Sequence, residues 1–392
     1  MVRIDVAQRR ARLGVRHLLS TRLGTAPVDV ARAVVALHAT DPATVFLALR
    51  ARSSTVDVPS VERALYEDRS LIRLLGMRRT MFVLPLEEAA IVHAACGRAV
   101  AAEQRKRYVK LLTEAGAGDG AYLAELEEAA ERALLARGEA TGAQLSADEP
   151  RLRTQITVPG GSTNVTTWVL LLLAADGRIA RGRPRGSWIS SQWRWSPMRD
   201  WLPSGLPDIA TSQARTELAR RWLGAFGPGT VADLRWWTGW TVAEVRRALA
   251  PLQPVEVELD GGQTGLVLPS DVDPVPAPDP WVALLPALDP TPMGWSQRDW
   301  YLGPHGPEVF DRNGNVGPTI WVDGRIVGGW AQLASGEVVH RLLEDLGRDA
   351  SDQVARVAAQ VSDWIGPVRV TPRFRTPLER SLSPGALPRK IS

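Results

Sequence analysis

Apolar residues recur at helical spacing through residues 9–20, 28–37, 42–52 and 60–67, and this predicts four helices. Residues 71–84 are rich in Leu, Met, Phe and Val without that period. They predict two strands joined at Gly76 or at Arg78-Arg79. Helices followed by a β-hairpin follow the plan of a winged helix. Between the second and third helices the polar run His38-Ala39-Thr40-Asp41-Pro42 interrupts what would otherwise be one core helix. Pro42 explains the break, because proline pushes the residue before it out of the helical region and itself suits a first helical turn.

The pattern then repeats. Residues 122–137 predict a helix with Gly138 as its stop, and residues 141–147 a short second one. Residues 164–175 predict a strongly apolar third helix, with Ser162 and Thr163 as capping residues. Gly160-Gly161 lacks the rest of a phosphate loop and is expected to be a turn. Residues 178–183 and 187–195 predict hairpin strands around Arg185-Gly186.

A third helical set is expected at 213–226, 230–237 and 241–249, after which the period changes to two. Strands are expected at 255–259, 265–268, 281–285, 319–322 and 325–328, with Asp323-Gly324 as a tight turn. Residues 349–364 return to a helix, and the tail after Pro372 is expected to be less ordered. The expected class is mainly α with β (α+β): tandem winged-helix motifs followed by a small C-terminal β-barrel-like domain. The expected domains are 1–110, 111–205, 206–252 and 253–392.

Composition narrows the class. At 392 residues, two to four domains are expected, and 45% hydrophobic with 23% charged residues fits a globular protein. The longest dense apolar run, 169–175, is too short to span a membrane. The first residues lack an apolar secretion segment, so the cytoplasm is expected. A single cysteine, Cys96, excludes an intrachain disulfide and a zinc finger. The 5 histidines have no metal-ligand spacing, and no metal or cofactor is implied.

The net charge is only +4, but the cations are mostly arginine, whose planar donor fork suits phosphate. One cluster interleaves Arg178, Arg181, Arg183, Arg185 and Arg194 with Trp188, Trp193 and Trp195. Arginine there can neutralise phosphates and enter a minor groove, while Trp can wedge or stack. Arg181, Arg183, Arg185 and Gln192 are the DNA-contact candidates. Trp193 and Trp195, like Trp222, Trp236, Trp237 and Trp240, are more simply core.

Five strings stand in a telling order: Leu37-His38-Ala39-Thr40-Asp41-Pro42 with Leu47-Ala48-Leu49-Arg50-Ala51-Arg52; Leu71-Ile72-Arg73-Leu74-Leu75-Gly76-Met77-Arg78-Arg79-Thr80; Phe226-Gly227-Pro228-Gly229-Thr230-Val231-Ala232-Asp233-Leu234; Leu284-Leu285-Pro286-Ala287-Leu288-Asp289; and Val322-Asp323-Gly324-Arg325-Ile326-Val327-Gly328-Gly329-Trp330. Together, across about residues 8–370, they resemble the AlkZ/YcaQ-like family of winged-helix DNA glycosylases. The resemblance implies three winged helices and a β-barrel-like domain holding duplex DNA. It implies monofunctional hydrolysis of the N-glycosidic bond of alkylated purines, in some members including bulky adducts and interstrand crosslinks. It also implies DNA-facing polar residues at Arg78, Arg79 and Thr80, for which a solvated strand end is the plainer alternative. The family's catalytic motif is typically Gln-x-Gln or Gln-x-Asp after a leucine, and the matching positions here are His38 and Thr40.

The altered pair still makes chemical sense. Alkylation at N7 or N3 leaves a cationic purine, already a good leaving group, so a strong general acid is not needed. The enzyme must stabilise oxocarbenium-like charge and place one water. His38 can accept a proton from that water or orient it, worth about 10²–10⁴-fold as a base. Thr40 can fix the same water, and Asp41 ranks third. For His38 the plainer alternative is a partly buried imidazole bonded to a backbone carbonyl; for Thr40 it is a helix cap. Asp289 is expected to be a structural turn residue. No lysine lies in the motif, so no Schiff-base lyase step is indicated. The expected partner is double-stranded DNA carrying alkylated bases, bound by a monomer. The rival readings are a winged-helix transcriptional regulator and a catalytically inactive lesion-binding protein.

Overall fold

The computed structural model describes residues 2–21, 23–158 and 161–385. The chain forms two compact units, one of residues 1–61 with 219–392 and the other of residues 62–218. It passes from one to the other inside the helices Val58–Tyr66 and Thr211–Phe226.

In the first unit the helix Val6–Arg16 starts at Asp5, whose carboxylate accepts from the Gln8 N–H at 2.8 Å. The helix Pro42–Arg52 is buried on nearly every side, as its all-round apolar sequence requires. The helices Val231–Thr238 and Val242–Leu249 each open with a capping box, Thr230 with Asp233 and Thr241 with Glu244. A three-stranded sheet places Val255–Leu259 between Gln263–Val267, antiparallel, and Val2–Arg3, parallel. The edge strand Val2–Arg3 had no expectation in the sequence, since two residues carry no period.

A second sheet is an antiparallel meander of Val282–Leu285, Thr319–Val322, Arg325–Gln332 and Val338–Leu342. Its tight turn is Asp323-Gly324, both at positive φ (47° and 83°), as the turn that matches strand twist requires. A Cβ on Gly324 would also meet Arg10 at 2.6 Å. The β-barrel-like expectation is corrected here: the small sheets do not close into a barrel. Four strands are too few to close. Instead, the helix Arg348–Ile365 lies against the edge strands Val282–Leu285 and Val338–Leu342 with its stripe of Val354, Val357, Ala358, Val361 and Ile365.

The tail after Pro372 is also corrected. Through Gly385 it is built into the unit, and Pro377–Leu382 is a helix. Arg375 and Glu379 form a buried ion pair there, with Nε to Oε2 at 2.5 Å, and Thr376 is 1% exposed. The helix is too short to announce itself in the sequence.

The first unit's interior holds a polar chain as well as aromatic rings. Arg52 donates to both carboxylate oxygens of Asp289 at 2.8 and 2.6 Å, and to the Thr291 hydroxyl at 2.8 Å. The Thr291 hydroxyl lies 2.8 Å from His17 Nδ1, and His17 Nε2 lies 3.1 Å from the Ala225 carbonyl. Because a carbonyl only accepts, Nε2 carries the proton and Nδ1 accepts from Thr291. Burial drives the His17 pKa down to about 3, so the ring is neutral. Around it pack Phe226, Trp295, Trp222 and Trp237, confirming the last two as core residues. Trp240 is buried too, whereas Trp236 is only partly buried, with Arg298 4.8 Å from its ring centroid.

In the second unit the helices Arg98–Glu114, Gly120–Arg137, Gly142–Asp148 and Val165–Ala175 enclose a core of Leu123, Leu126, Leu134, Leu172 and Leu173, with Tyr108 stacked on Trp168 at 4.7 Å. Gly138 ends its helix at φ 73°, as expected. The helix Val165–Ala175 starts from Asn164. Ser162 and Thr163, expected as its caps, lie instead in the strand Gly161–Asn164 paired with Gln155–Val158. Gly160, expected in a turn, lies outside the described residues. Two hairpins complete the unit: Leu71–Leu75 with Met81–Pro85, and Ile179–Pro184 with Trp193–Pro197.

Candidate active site

Before the helix Pro42–Arg52, Leu37–His38 forms a two-residue strand and the chain bends at Thr40-Asp41. Leu37 and Ala39 point inward and are 0% exposed. His38 and Thr40, two residues apart, are both partly exposed. The Thr40 N–H approaches His38 Nδ1 at 3.4 Å, at the long limit of a hydrogen bond.

Asp41 behaves differently from its neighbours. It is 2% exposed and caps the helix, accepting from the Ala43 N–H at 3.1 Å through Oδ1. Its Oδ2 accepts the backbone N–H of Arg373 at 2.9 Å. The cap expected at Thr40 is thus supplied by Asp41, one residue later. Arg373 closes the same clasp with its side chain, Nη1 donating to the Thr40 carbonyl at 3.2 Å. The Thr44 hydroxyl donates to the Ala287 carbonyl at 2.8 Å, holding the first helical turn. Sequence reasoning missed Arg373, which is 333 residues from Thr40. Its only signal was a basic and aromatic run, Arg373-Phe374-Arg375, inside an otherwise proline-rich tail.

The sequence placed the remaining candidates on two hairpins, and both lie in the second unit. The first hairpin turns through Met77-Arg78-Arg79-Thr80, closed by the Thr80 N–H to the Met77 carbonyl at 3.0 Å. Arg78 and Arg79 have φ of 51° and 56°, a left-handed conformation that disfavours any residue with a Cβ. Both are exposed, and Arg79 Nη1 donates to Gln104 Oε1 at 2.9 Å. Thr80 is partly exposed beside them.

On the second hairpin Arg185 and Gln192 are exposed near the end, joined by the Arg185 N–H to the Gln192 carbonyl at 2.8 Å. Arg181 stacks on Trp193 and Trp195, with its guanidinium carbon 5.6 and 5.3 Å from their centroids. Trp188 and Trp195 are buried, in line with a packed role. Arg183 donates to Glu62 at 2.6 Å and Glu67 at 3.2 Å and lies 4.8 Å from the Tyr66 ring centroid. A cavity of about 480 Å³ opens along this hairpin, walled by Tyr66, Arg69, Arg183, Arg194, Glu139 and Trp201. Arg194 there is paired with Glu139 at 3.1 Å. The protein's own carboxylates therefore hold the two hairpin arginines of this cavity.

Asp289, expected as a structural residue, is fully buried on Arg52. Among the described residues no cluster of three or more His, Cys, Asp or Glu is placed to hold a metal ion. Among them, too, no helix is long and apolar enough to cross a membrane.

Among curated protein sequences, none matches this chain. Among solved structures, the Streptomyces sahachiroi DNA glycosylase AlkZ shares the fold, with a TM-score of 0.73 at 22% identity over 92% of this chain and 98% of that one. The family model described as DNA glycosylase AlkZ-like matches residues 31–364. That span includes His38, Thr40, both hairpins and the meander, and the chain belongs to the AlkZ-like DNA glycosylase family.

Proposed function

We propose that this protein is a monofunctional DNA glycosylase that hydrolyses the N-glycosidic bond of alkylated purines in duplex DNA, with bulky N7-guanine adducts or crosslinks as its substrates. We read its helix–hairpin segments as winged helices and its working form as a cytoplasmic monomer. The observation that carries the reading is the partial exposure of His38 and Thr40, two residues apart, on a turn whose backbone is pinned by Asp41 and Arg373.

The chemistry asked of those two residues is modest. An N7-alkylated guanine leaves as a neutral base, so the C1′–N9 bond can break without protonation of the leaving group. What remains is an oxocarbenium-like sugar and one water to be delivered to C1′. In the tautomer whose Nδ1 accepts the Thr40 N–H, His38 orients the water by donating to it from Nε2. In the other tautomer Nε2 presents a lone pair and takes the water's proton as the C1′–O bond forms. The Thr40 hydroxyl fixes the same water from one side. Asp41, its oxygens turned to backbone N–H groups, contributes negative potential and rigidity beneath the pair rather than a proton-accepting atom at the surface.

Arg78, Arg79 and Thr80 on one hairpin and Arg181, Arg183, Arg185 and Gln192 on the other are assigned to DNA contact. Arg78, Arg79, Arg185 and Gln192 are exposed for it, whereas Arg183 must exchange Glu62 and Glu67 for phosphate. A bulky adduct fits a partly exposed site that need not swallow a flipped base.

The test is base release from a duplex carrying a defined bulky N7-guanine adduct, scored by alkaline cleavage at the abasic site, for wild type beside His38→Ala. Release by the wild type alone supports the reading. Equal release by the variant removes His38 from the mechanism. Binding without release by either, on bulky, methylated and crosslinked DNA alike, leaves a lesion-binding protein.

A further inference from the structure

Arg373 presses its guanidinium against the backbone of the candidate catalytic turn, and its charge has no carboxylate partner among the described residues. The backbone N–H holds Asp41, one Nη holds the Thr40 carbonyl, and the guanidinium carbon lies 5.7 Å from the Phe374 centroid. A guanidinium has five N–H donors, so most remain to be used. Many arginines differ, although Arg10, Arg69 and Arg298 likewise donate to backbone carbonyls. Arg375, two residues on, is locked to Glu379; Arg52 is locked to Asp289; and Arg105, Arg137, Arg151, Arg178, Arg183 and Arg194 all hold carboxylates. Those cations are already neutralised within the protein, whereas the half-buried Arg373 is not.

The uncompensated charge sits where it would do harm if left alone. Positive charge develops on the sugar as the base leaves, and a bare guanidinium on the Thr40 carbonyl would oppose it. A phosphodiester laid on the guanidinium reverses this, because the anion lies close to the sugar it belongs to and cancels the arginine. Arginine binds a phosphate through two parallel N–H bonds, which fixes orientation as well as charge.

We propose that Arg373 is a positioning residue that takes the phosphodiester flanking the scissile nucleotide, thereby registering the sugar's C1′ over His38 and Thr40. This rests on the glycosylase reading for the role of those two residues, but its test does not need turnover. Replacing the side chain leaves the Asp41 bond to the Arg373 backbone intact, so the clasp survives in the variant.

The experiment measures binding of a duplex with a central tetrahydrofuran abasic analogue, for wild type and Arg373→Gln, with each flanking phosphate replaced singly by a neutral methylphosphonate. Expected for Arg373→Gln is a loss of roughly tenfold, with the slope of log K against log salt reduced by about one. One methylphosphonate adjacent to the abasic site should weaken wild type by a similar factor and leave Arg373→Gln unchanged. Arg373→Lys should restore the salt slope while recovering only part of the affinity. A wild type indifferent to every flanking methylphosphonate overturns the proposal whether or not the variant folds, as does equal sensitivity of the two proteins at every position. Base release from the N7-adduct duplex is scored in parallel. Coupling without release from bulky, methylated or crosslinked duplex alike sinks the glycosylase reading and keeps Arg373 as a phosphate contact; release without coupling does the reverse.

Discussion

Arg52 and Asp289 form a bidentate ion pair in which neither side chain is exposed at all, although 237 residues separate them in the chain. The pair joins the end of the helix Pro42–Arg52 to the loop after the strand Val282–Leu285. Thr44 binds the Ala287 carbonyl from the same helix's first turn. The helix that presents His38 and Thr40 at its entrance is thus fixed to one loop at both of its ends.

Breaking this pair from one side should be severe. Arg52→Met leaves a buried carboxylate without its cation and should destabilise the protein by about 3–5 kcal/mol. Arg52→Met with Asp289→Leu removes both charges and should cost clearly less than the single change. Urea unfolding of the two variants checks this, and equal losses would mean that the pair is not coupled.

The His17 ring makes stability pH-dependent in a definite direction. Its folded pKa, about 3, lies below the unfolded value of about 6.5. The unfolded chain therefore binds a proton that the folded protein refuses. The contribution is complete above about pH 6.5 and declines as pH falls, at about 1.4 kcal/mol per unit, until about pH 3. Between pH 7 and 5 that amounts to roughly 2 kcal/mol. His17→Gln should be less stable at pH 7 yet lose less on acidification. Urea midpoints at the two pH values measure the difference, and parallel losses would rule His17 out as the source.

His38 and Thr40 should separate chemistry from binding. His38→Ala is expected to lower single-turnover base release by about 10²–10⁴-fold. Thr40→Ala should cost less, roughly tenfold, because a hydroxyl only shares the orientation of the water. Neither should shift affinity for abasic duplex by more than about twofold. A matched fall in affinity would indicate a DNA contact instead.

The turn at Arg78 and Arg79 should trade stability against binding. Two side-chain-bearing residues at positive φ cost of order 1 kcal/mol each, and strain of this kind persists where a side chain is needed. Arg78→Gly should therefore raise stability by about 1 kcal/mol while weakening duplex binding severalfold. Thermal melts and binding titrations test the two halves separately. A gain in stability with unchanged affinity would make the arginines ornamental to DNA contact.

Much of the local structure was legible in the chain because its causes are local. Pro42 fixed the start of the Pro42–Arg52 helix, and that expected span matches the structure at both ends. Gly138 marked a helix stop and Asp323-Gly324 a turn, since positive φ is cheap there. What depends on distant partners was not legible. The alternating strands said nothing of closure, and the meander stays open with a helix along its edges. Asp289 read as a structural turn residue, and its Oδ1 does accept the Thr291 N–H at 2.9 Å, but its pairing with Arg52 in the core was not legible. Arg373 read as part of a loose tail until its backbone N–H met Asp41. A sequence states what each residue can bond, while only the folded chain decides which donor reaches which acceptor, because a buried charge must find its partner wherever along the chain that partner lies.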